Sequence, residues 1–242
     1  MKNLFKVHIL TYIALLIAFL TGYFKESIFF TMIILIHELG HLTLALFFKW
    51  KIVKIILLPF GGITIFNELI NRPLIEEFLI AIMGPLFQIV FTIILNNSIV
   101  TYYSKIILLI NLIPIYPLDG AKILNIIFNK LFFFRISYNL TLYLSYFLSI
   151  IFILLAVLKK ELIFLLFIMI LTIKLKKELS NRGLIFNKFL YERYLYKLKF
   201  RKVKIVKNEK KFKKDYYHFI DENKLIEEKD FLKQKFENLI ND

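Results

Sequence analysis

Two histidines four residues apart, His37 and His41, flank Glu38 in the stretch ILIHELGHLTLALFF, Ile34 to Phe48. On a helix, positions i and i+4 share a face, so both imidazoles can reach one ion. This is the H-E-x-x-H pattern, in which two neutral imidazoles bind zinc and the glutamate takes a proton from the water that attacks a carbonyl. The surroundings are apolar, and ionisable groups inside an apolar span read as functional because insertion makes unpartnered ones costly. The competing reading is that the histidines satisfy each other or a backbone carbonyl in a polar bundle core.

Zinc needs at least a third protein ligand, and with no cysteine in the chain it must be His, Asp or Glu. Helical rise gives a depth for each candidate. His41 lies fourteen residues past Ser27, and Asp119 fourteen past Lys105, where a later span enters from the same side. Both counts give about 21 Å at 1.5 Å per residue, so Asp119 is the expected third ligand. His8 and His218 are poorer candidates, one near the wrong end of its span and one in the tail. Asp119 closes the stretch NLIPIYPLDG, Asn111 to Gly120. Its prolines leave backbone carbonyls unpaired, and Gly120 is expected to allow a sharp turn just after the aspartate. Broken backbone at membrane depth is tolerated where it lines a cavity; a plain helix-ending turn at the membrane face is the other reading.

The elements that position these groups follow from composition. The 242 residues are 59% hydrophobic and 17% aromatic, with a mean hydropathy of +0.68, which marks a polytopic membrane protein. Apolar runs of about 20 residues can cross a bilayer. They fall at 7–24, 27–48, 74–95 and 136–158, with weaker ones at 106–116 and 162–173, for six crossings. The first is expected to be a retained anchor, since no small-residue cleavage site follows Leu20. Lysine and arginine gather in alternate loops and in the tail, which predicts both termini on the cytoplasmic side of a multi-pass cell-membrane protein. The net charge of +15 is thereby assigned to membrane orientation, and no nucleic-acid partner is expected. Residues 193–214 read as a basic segment lying against anionic headgroups, with a docking surface as the sharper alternative. Residues 221–242 read as a short amphipathic helix.

HELGH followed by NLIPIYPLDG resembles the site-2 protease family of intramembrane zinc metalloproteases, and within it the six-span sporulation branch. LPFGGITIFNE, Leu58 to Glu68, and AIMGPLFQIVF, Ala81 to Phe91, are similar to further segments of that family; the likeness runs from about Lys2 to Lys177. It implies an all-α core of about six transmembrane helices with a short membrane-associated β segment. Residues 1–177 would be the protease core and 178–242 a small basic cytoplasmic tail. It further implies one zinc ion on His37, His41 and Asp119, with Glu38 as general base and Asn111 orienting substrate. A strand at Gly61 and Gly62 would hold that substrate extended, since a helical substrate must unwind before its carbonyls can be attacked. Two departures are visible. Ala121 stands where the family often has a second glycine. The residues after Asn181 are too few for the nucleotide-sensing CBS domain usual in the sporulation branch, and no PDZ domain interrupts the core.

The implied activity is hydrolysis of a peptide bond in or near the transmembrane segment of a membrane-tethered substrate, such as a pro-sigma or anti-sigma protein. Its partners would be that substrate, the lipid bilayer and a regulatory membrane protein. The alternative is a non-catalytic metal-binding scaffold or transporter. Transport requires polar residues staged across the membrane, and beyond the proposed site the spans offer little more than Gln88, Asn139 and scattered hydroxyls. A scaffold has no need of Glu38.

Overall fold

The computed structural model describes residues 5–7, 9–58, 61–66, 68–196, 198, 200, 202–221 and 225–241. The chain divides into two units, one of residues 1–68 and 76–112, the other of residues 69–75 and 113–242.

In the first unit, a short strand β1 (Phe5–Val7) and helix α1 (Ile9–Leu20) precede the long helix α2 (Phe24–Phe47), which carries the H-E-x-x-H residues. Strands β2 (Ile52–Leu58) and β3 (Gly61–Phe66) follow, then helices α3 (Leu74–Leu95) and α4 (Ser98–Leu112). The three strands form one sheet in the order β1-β2-β3, with β1 parallel to β2 and β2 antiparallel to β3. On α2 the buried residues Ile33, Ile34, His37, Glu38, His41 and Ala45 recur at helical spacing along one face. The opposite face exposes Met32, Leu35, Leu39 and Leu46, as a lipid-facing surface would. Ile33 and Ile34 pack with Val100 and Ile107 of α4, and Phe29, Phe30, Phe91 and Tyr103 close around them.

Helix α4 begins well before the apolar run expected at 106–116. Asn97 Oδ1 accepts the amides of Ile99 (2.9 Å) and Val100 (3.3 Å), a side-chain cap that starts the helix at Ser98. The polar residues Thr101 to Lys105 kept its first turns out of the hydropathy signal.

The second unit holds α5 (Asp119–Leu131), α6 (Phe134–Leu158), the long α7 (Leu162–Leu195), strands β4 (Lys202–Val206), β5 (Tyr216–Asp221) and β6 (Leu225–Glu227), and α8 (Glu228–Asn241). Ile168 and Leu171 of α7 pack with Ile115, against Leu148 and Phe152 of α6. The proline-broken segment before α5 is tied to α6, because Ser145 Oγ donates to the Pro114 carbonyl (3.1 Å) and accepts the Tyr116 amide (3.2 Å). Two backbone groups of this irregular segment are thus satisfied by a serine.

Three helices among the described residues, α2, α3 and α6, are long and apolar enough to cross a membrane. Of the other expected spans, two correspond to the short apolar helices α1 and α4, and the last to the first part of α7. The protein is mostly helical, but among the described residues there are two sheets where one β segment was expected. The second has the order β4-β5-β6, with β4 parallel to β5 and β5 antiparallel to β6. It belongs to a folded lobe in which Phe134, Phe189, Leu190, Val206, Phe212, Ile220 and Leu232 form a buried core. Residues read as a basic segment and an amphipathic helix therefore supply strands and apolar side chains to a packed structure, and α7 runs unbroken through residues 177 and 178.

Within this lobe His218 is buried and stacks on Phe212 with ring centroids 4.4 Å apart. Its Nε2 accepts the Lys213 amide (3.0 Å), so its proton sits on Nδ1, against Glu228 Oε2 (2.9 Å). Burial favours the neutral ring and lowers its pKa, outweighing the pull of Glu228. With the folded pKa depressed, the unfolded chain binds more protons as pH falls through about 6.5, so lobe stability is full above that value and declines below it. Hydrogen exchange should show weaker protection of the Leu190 and Ile220 amides at pH 5.5 than at 7.5; equal protection would contradict the neutral assignment.

Candidate metal centre

His37 and His41 face α3, and each ring is held by a group on that helix. His37 Nδ1 lies 2.8 Å from Gln88 Oε1. The Gln88 amide is itself oriented, because its Nε2 donates to the Ser104 carbonyl (2.7 Å) and Ser104 Oγ (3.0 Å) on α4. Its oxygen must therefore face His37, whose Nδ1 is the donor. His41 Nδ1 lies 2.7 Å from the Ile80 carbonyl and can only donate to it. That carbonyl is next to the one Pro85, inside α3, leaves without a helical partner. In their neutral forms both histidines thus carry the proton on Nδ1 and a lone pair on Nε2.

The two Nε2 atoms are 3.1 Å apart. Two acceptors at that separation repel unless a cation or a shared proton lies between them. A tetrahedral zinc with Zn–N bonds of about 2.0–2.1 Å sets its nitrogens about 3.3 Å apart, so the pair fits one edge of such a site. Both residues are buried, His37 at 3% and His41 at 5% exposure. Donation from the second ring nitrogen to an amide or carbonyl is the outer support that fixes tautomer and orientation in metal-binding histidines.

Glycines set the spacing of the helices. A Cβ built on Gly84 would lie 2.3 Å from His41 Nε2, so the imidazole occupies the space a side chain would fill. A Cβ on Gly40 would meet the Met83 carbonyl at 2.4 Å, which marks the close approach of α2 to α3.

Asp119 is the first residue of α5 and is 5% exposed. The helix break lies before it, at 113–118, and Gly120, expected to turn the chain, is instead a buried residue in the first turn of α5. The depth count along a single helix therefore does not describe the path, because Asp119 opens a new helix. Lys122 Nζ donates to Asp119 Oδ1 at 2.8 Å. His37 and His41 belong to the first unit and Asp119 to the second, and all three are buried. Glu38, next to His37, is also buried.

Asn111 is half-buried near the end of α4. Gly61 and Gly62 open β3, paired with Leu58 and Leu57. His218 is engaged in the C-terminal lobe, and His8 lies outside the described residues. Sequence reasoning gave no site role to Gln88 or Gly84; the signal available for Gln88 was a lone carboxamide in an apolar run.

Residues 25–104 match the model of Peptidase family M50. The chain is 40% identical over 148 residues to Stage IV sporulation protein FB of Bacillus subtilis (strain 168), covering 56% of this chain and 51% of that protein. It is 34% identical over 112 residues to a zinc metalloprotease of Methanocaldococcus jannaschii, covering 40% of this chain and 32% of the relative. The chain thus spans about half the length of one curated relative and about a third of the other. The solved structure of a site-2 protease from Methanocaldococcus jannaschii superposes with a TM-score of 0.55 at 26% identity, over 72% of this chain and 89% of that one.

Replacing Gln88 by Leu should weaken zinc binding by about 10–100-fold, the usual effect of losing an outer-shell partner, measured by competition with a chromophoric chelator. Gly84→Ala should act in the same direction by displacing His41, and wild-type affinity in both variants would refute the support assigned to α3. Its matched residues, its relatives and its fold make the chain similar to the site-2 protease family of membrane metalloproteases, and residues 25–104 carry the likeness to Peptidase family M50.

Proposed function

We propose that this protein is an intramembrane zinc endopeptidase that cuts a membrane-tethered protein in or beside its transmembrane segment. One observation carries the reading: two buried imidazoles, each with Nδ1 engaged by an acceptor on α3, turn their Nε2 atoms toward each other at 3.1 Å, where neutral rings would offer lone pairs to one ion. His37, His41 and Asp119 would hold a single zinc ion, which when bound supplies Lewis acidity toward water and carbonyl oxygen. Glu38 would accept a proton from the attacking water and return it to the departing amine. Its place in an apolar helix, beside a ligand, favours catalysis over a scaffold role. Transport finds little support, because Gln88 and Ser104, buried polar groups of α3 and α4, bond to each other and to His37.

Substrate would enter as an extended strand along β3 at Gly61 and Gly62, with Asn111 orienting it. Pairing with a strand satisfies the amides that an unwound substrate helix exposes. The relation to a sporulation protein points to a regulatory substrate of the pro-sigma or anti-sigma class. The proposed layout is six crossings with both termini cytoplasmic, with residues 1–177 as protease core and 178–242 as its cytoplasmic extension.

The test is co-expression with membrane-tethered candidate substrates. Glu38→Gln should abolish product while retaining zinc, and product from both forms would refute the general base. His37→Phe and Asp119→Ala should each lose metal on purification, and unchanged zinc content in either would remove that residue from the ligand set.

A further inference from the structure

Residues 69–75, the last part of the β3–α3 connection and the first two residues of α3, fold with the C-terminal lobe. Asn71, 8% exposed, spends its whole side chain there. Its Nδ2 donates to the Phe189 carbonyl (2.9 Å) and Glu192 Oε2 (3.1 Å), and its Oδ1 accepts Arg193 Nε (2.8 Å). The Asn71 amide also donates to Glu192 Oε2 (3.2 Å).

Arg193 is held from every side. Its remaining nitrogens reach Glu228 Oε1 (2.7 Å) and the carbonyls of Tyr216 and Lys213 (3.0 Å each), and its guanidinium carbon lies 4.7 Å and 4.5 Å from the ring centroids of Phe189 and Phe200. The fork of donors is thereby pre-organised to read the Asn71 carbonyl oxygen. Asp215 completes the grip, since both its oxygens accept the amide of Leu74, the first residue of α3 (3.3 Å each). A carboxylate at that position caps the helix and complements its dipole.

From that cap α3 runs without interruption to Ile80, Gly84 and Gln88, the three residues that set the histidine rings. On its other side the loop continues β3, the strand that begins with Gly61 and Gly62. A loop fixed between these elements governs how the strand and the helix stand to each other along the chain.

We infer that the C-terminal lobe is a clamp on the β3–α3 loop, with Asn71 and Asp215 as positioning residues that fix which peptide bond of an extended substrate is cut. The inference rests on the proposed protease reading and adds to it a determinant of cleavage position. Loosening the clamp leaves the metal ligands intact but lets the strand slide relative to Glu38. Lost stability alone would slow cleavage at one unchanged bond, whereas lost positioning spreads it over neighbouring bonds.

The experiment uses the full chain in detergent with a purified membrane-tethered substrate that the wild type cuts, and reads zinc content, kcat, KM and product masses. Asn71→Ala should keep its zinc, raise KM threefold or more and yield products from two or more adjacent bonds. Asp215→Ala should behave likewise, while Asp215→Asn, which keeps an acceptor for the Leu74 amide, should restore the single product. If Asn71→Ala fails to fold, the Asp215 pair decides the matter alone. A single unchanged product with unchanged KM in the alanine variants, or an Asp215→Asn protein indistinguishable from Asp215→Ala, overturns the clamp. Glu38→Gln in the same assay separates the two claims: cleavage by that variant refutes the protease reading, whereas its silence beside unaltered alanine variants refutes only the clamp.

Discussion

Two nitrogen lone pairs facing each other in an apolar interior are the constraint on which the rest of this protein turns. Left without a proton or a cation between them, the Nε2 atoms of His37 and His41 at 3.1 Å would each forfeit solvation worth about 1–3 kcal/mol and add mutual repulsion. The tautomers that produce this conflict are imposed by Gln88 and the Ile80 carbonyl. In their neutral forms the two rings thus present an arrangement that a divalent cation would relieve, and the anionic third ligand proposed at Asp119 would suit such an ion better than a proton.

Helix α3 is the element that makes the arrangement persist. It contributes a carboxamide, a carbonyl beside a proline-disturbed turn and a glycine whose missing side chain gives the imidazole its place. Each acts at the distance of one contact, so a small slide of α3 along α2 would disturb all three. The close approach at Gly40 limits that slide, and the Asp215 cap anchors the near end of the helix. The order runs from a capped helix to oriented side chains, and from these to directed lone pairs.

How much of this was legible in the sequence depended on whether a residue acts locally. His37, Glu38 and His41 could be proposed from sequence because their i, i+4 spacing is itself a helical geometry, and Asp119 because it closes a proline-broken stretch, although the depth count that favoured it does not follow its path into α5. Gln88 was not, because its role is to orient a ring on another helix, and a lone glutamine carries no periodic signature. Helix α4 began earlier than hydropathy suggested because the Asn97 cap and the buried Ser104 belong to polar pairing that an average over a window erases. The C-terminal lobe was missed for a related reason. Lysines dominate the composition of residues 202–214, while its folding rests on a few apolar side chains, Val206 and Phe212 among them, that meet partners far away in the chain. Asn71 and Arg193 lie 122 positions apart, and nothing in either neighbourhood announces the other.

The most direct test of the central claim is zinc K-edge X-ray absorption on the purified protein. The account predicts one zinc per chain, with two imidazole nitrogens at about 2.0–2.1 Å and an oxygen shell that includes a carboxylate. Absence of bound zinc after metal reconstitution, or a first shell without two imidazoles, would contradict it.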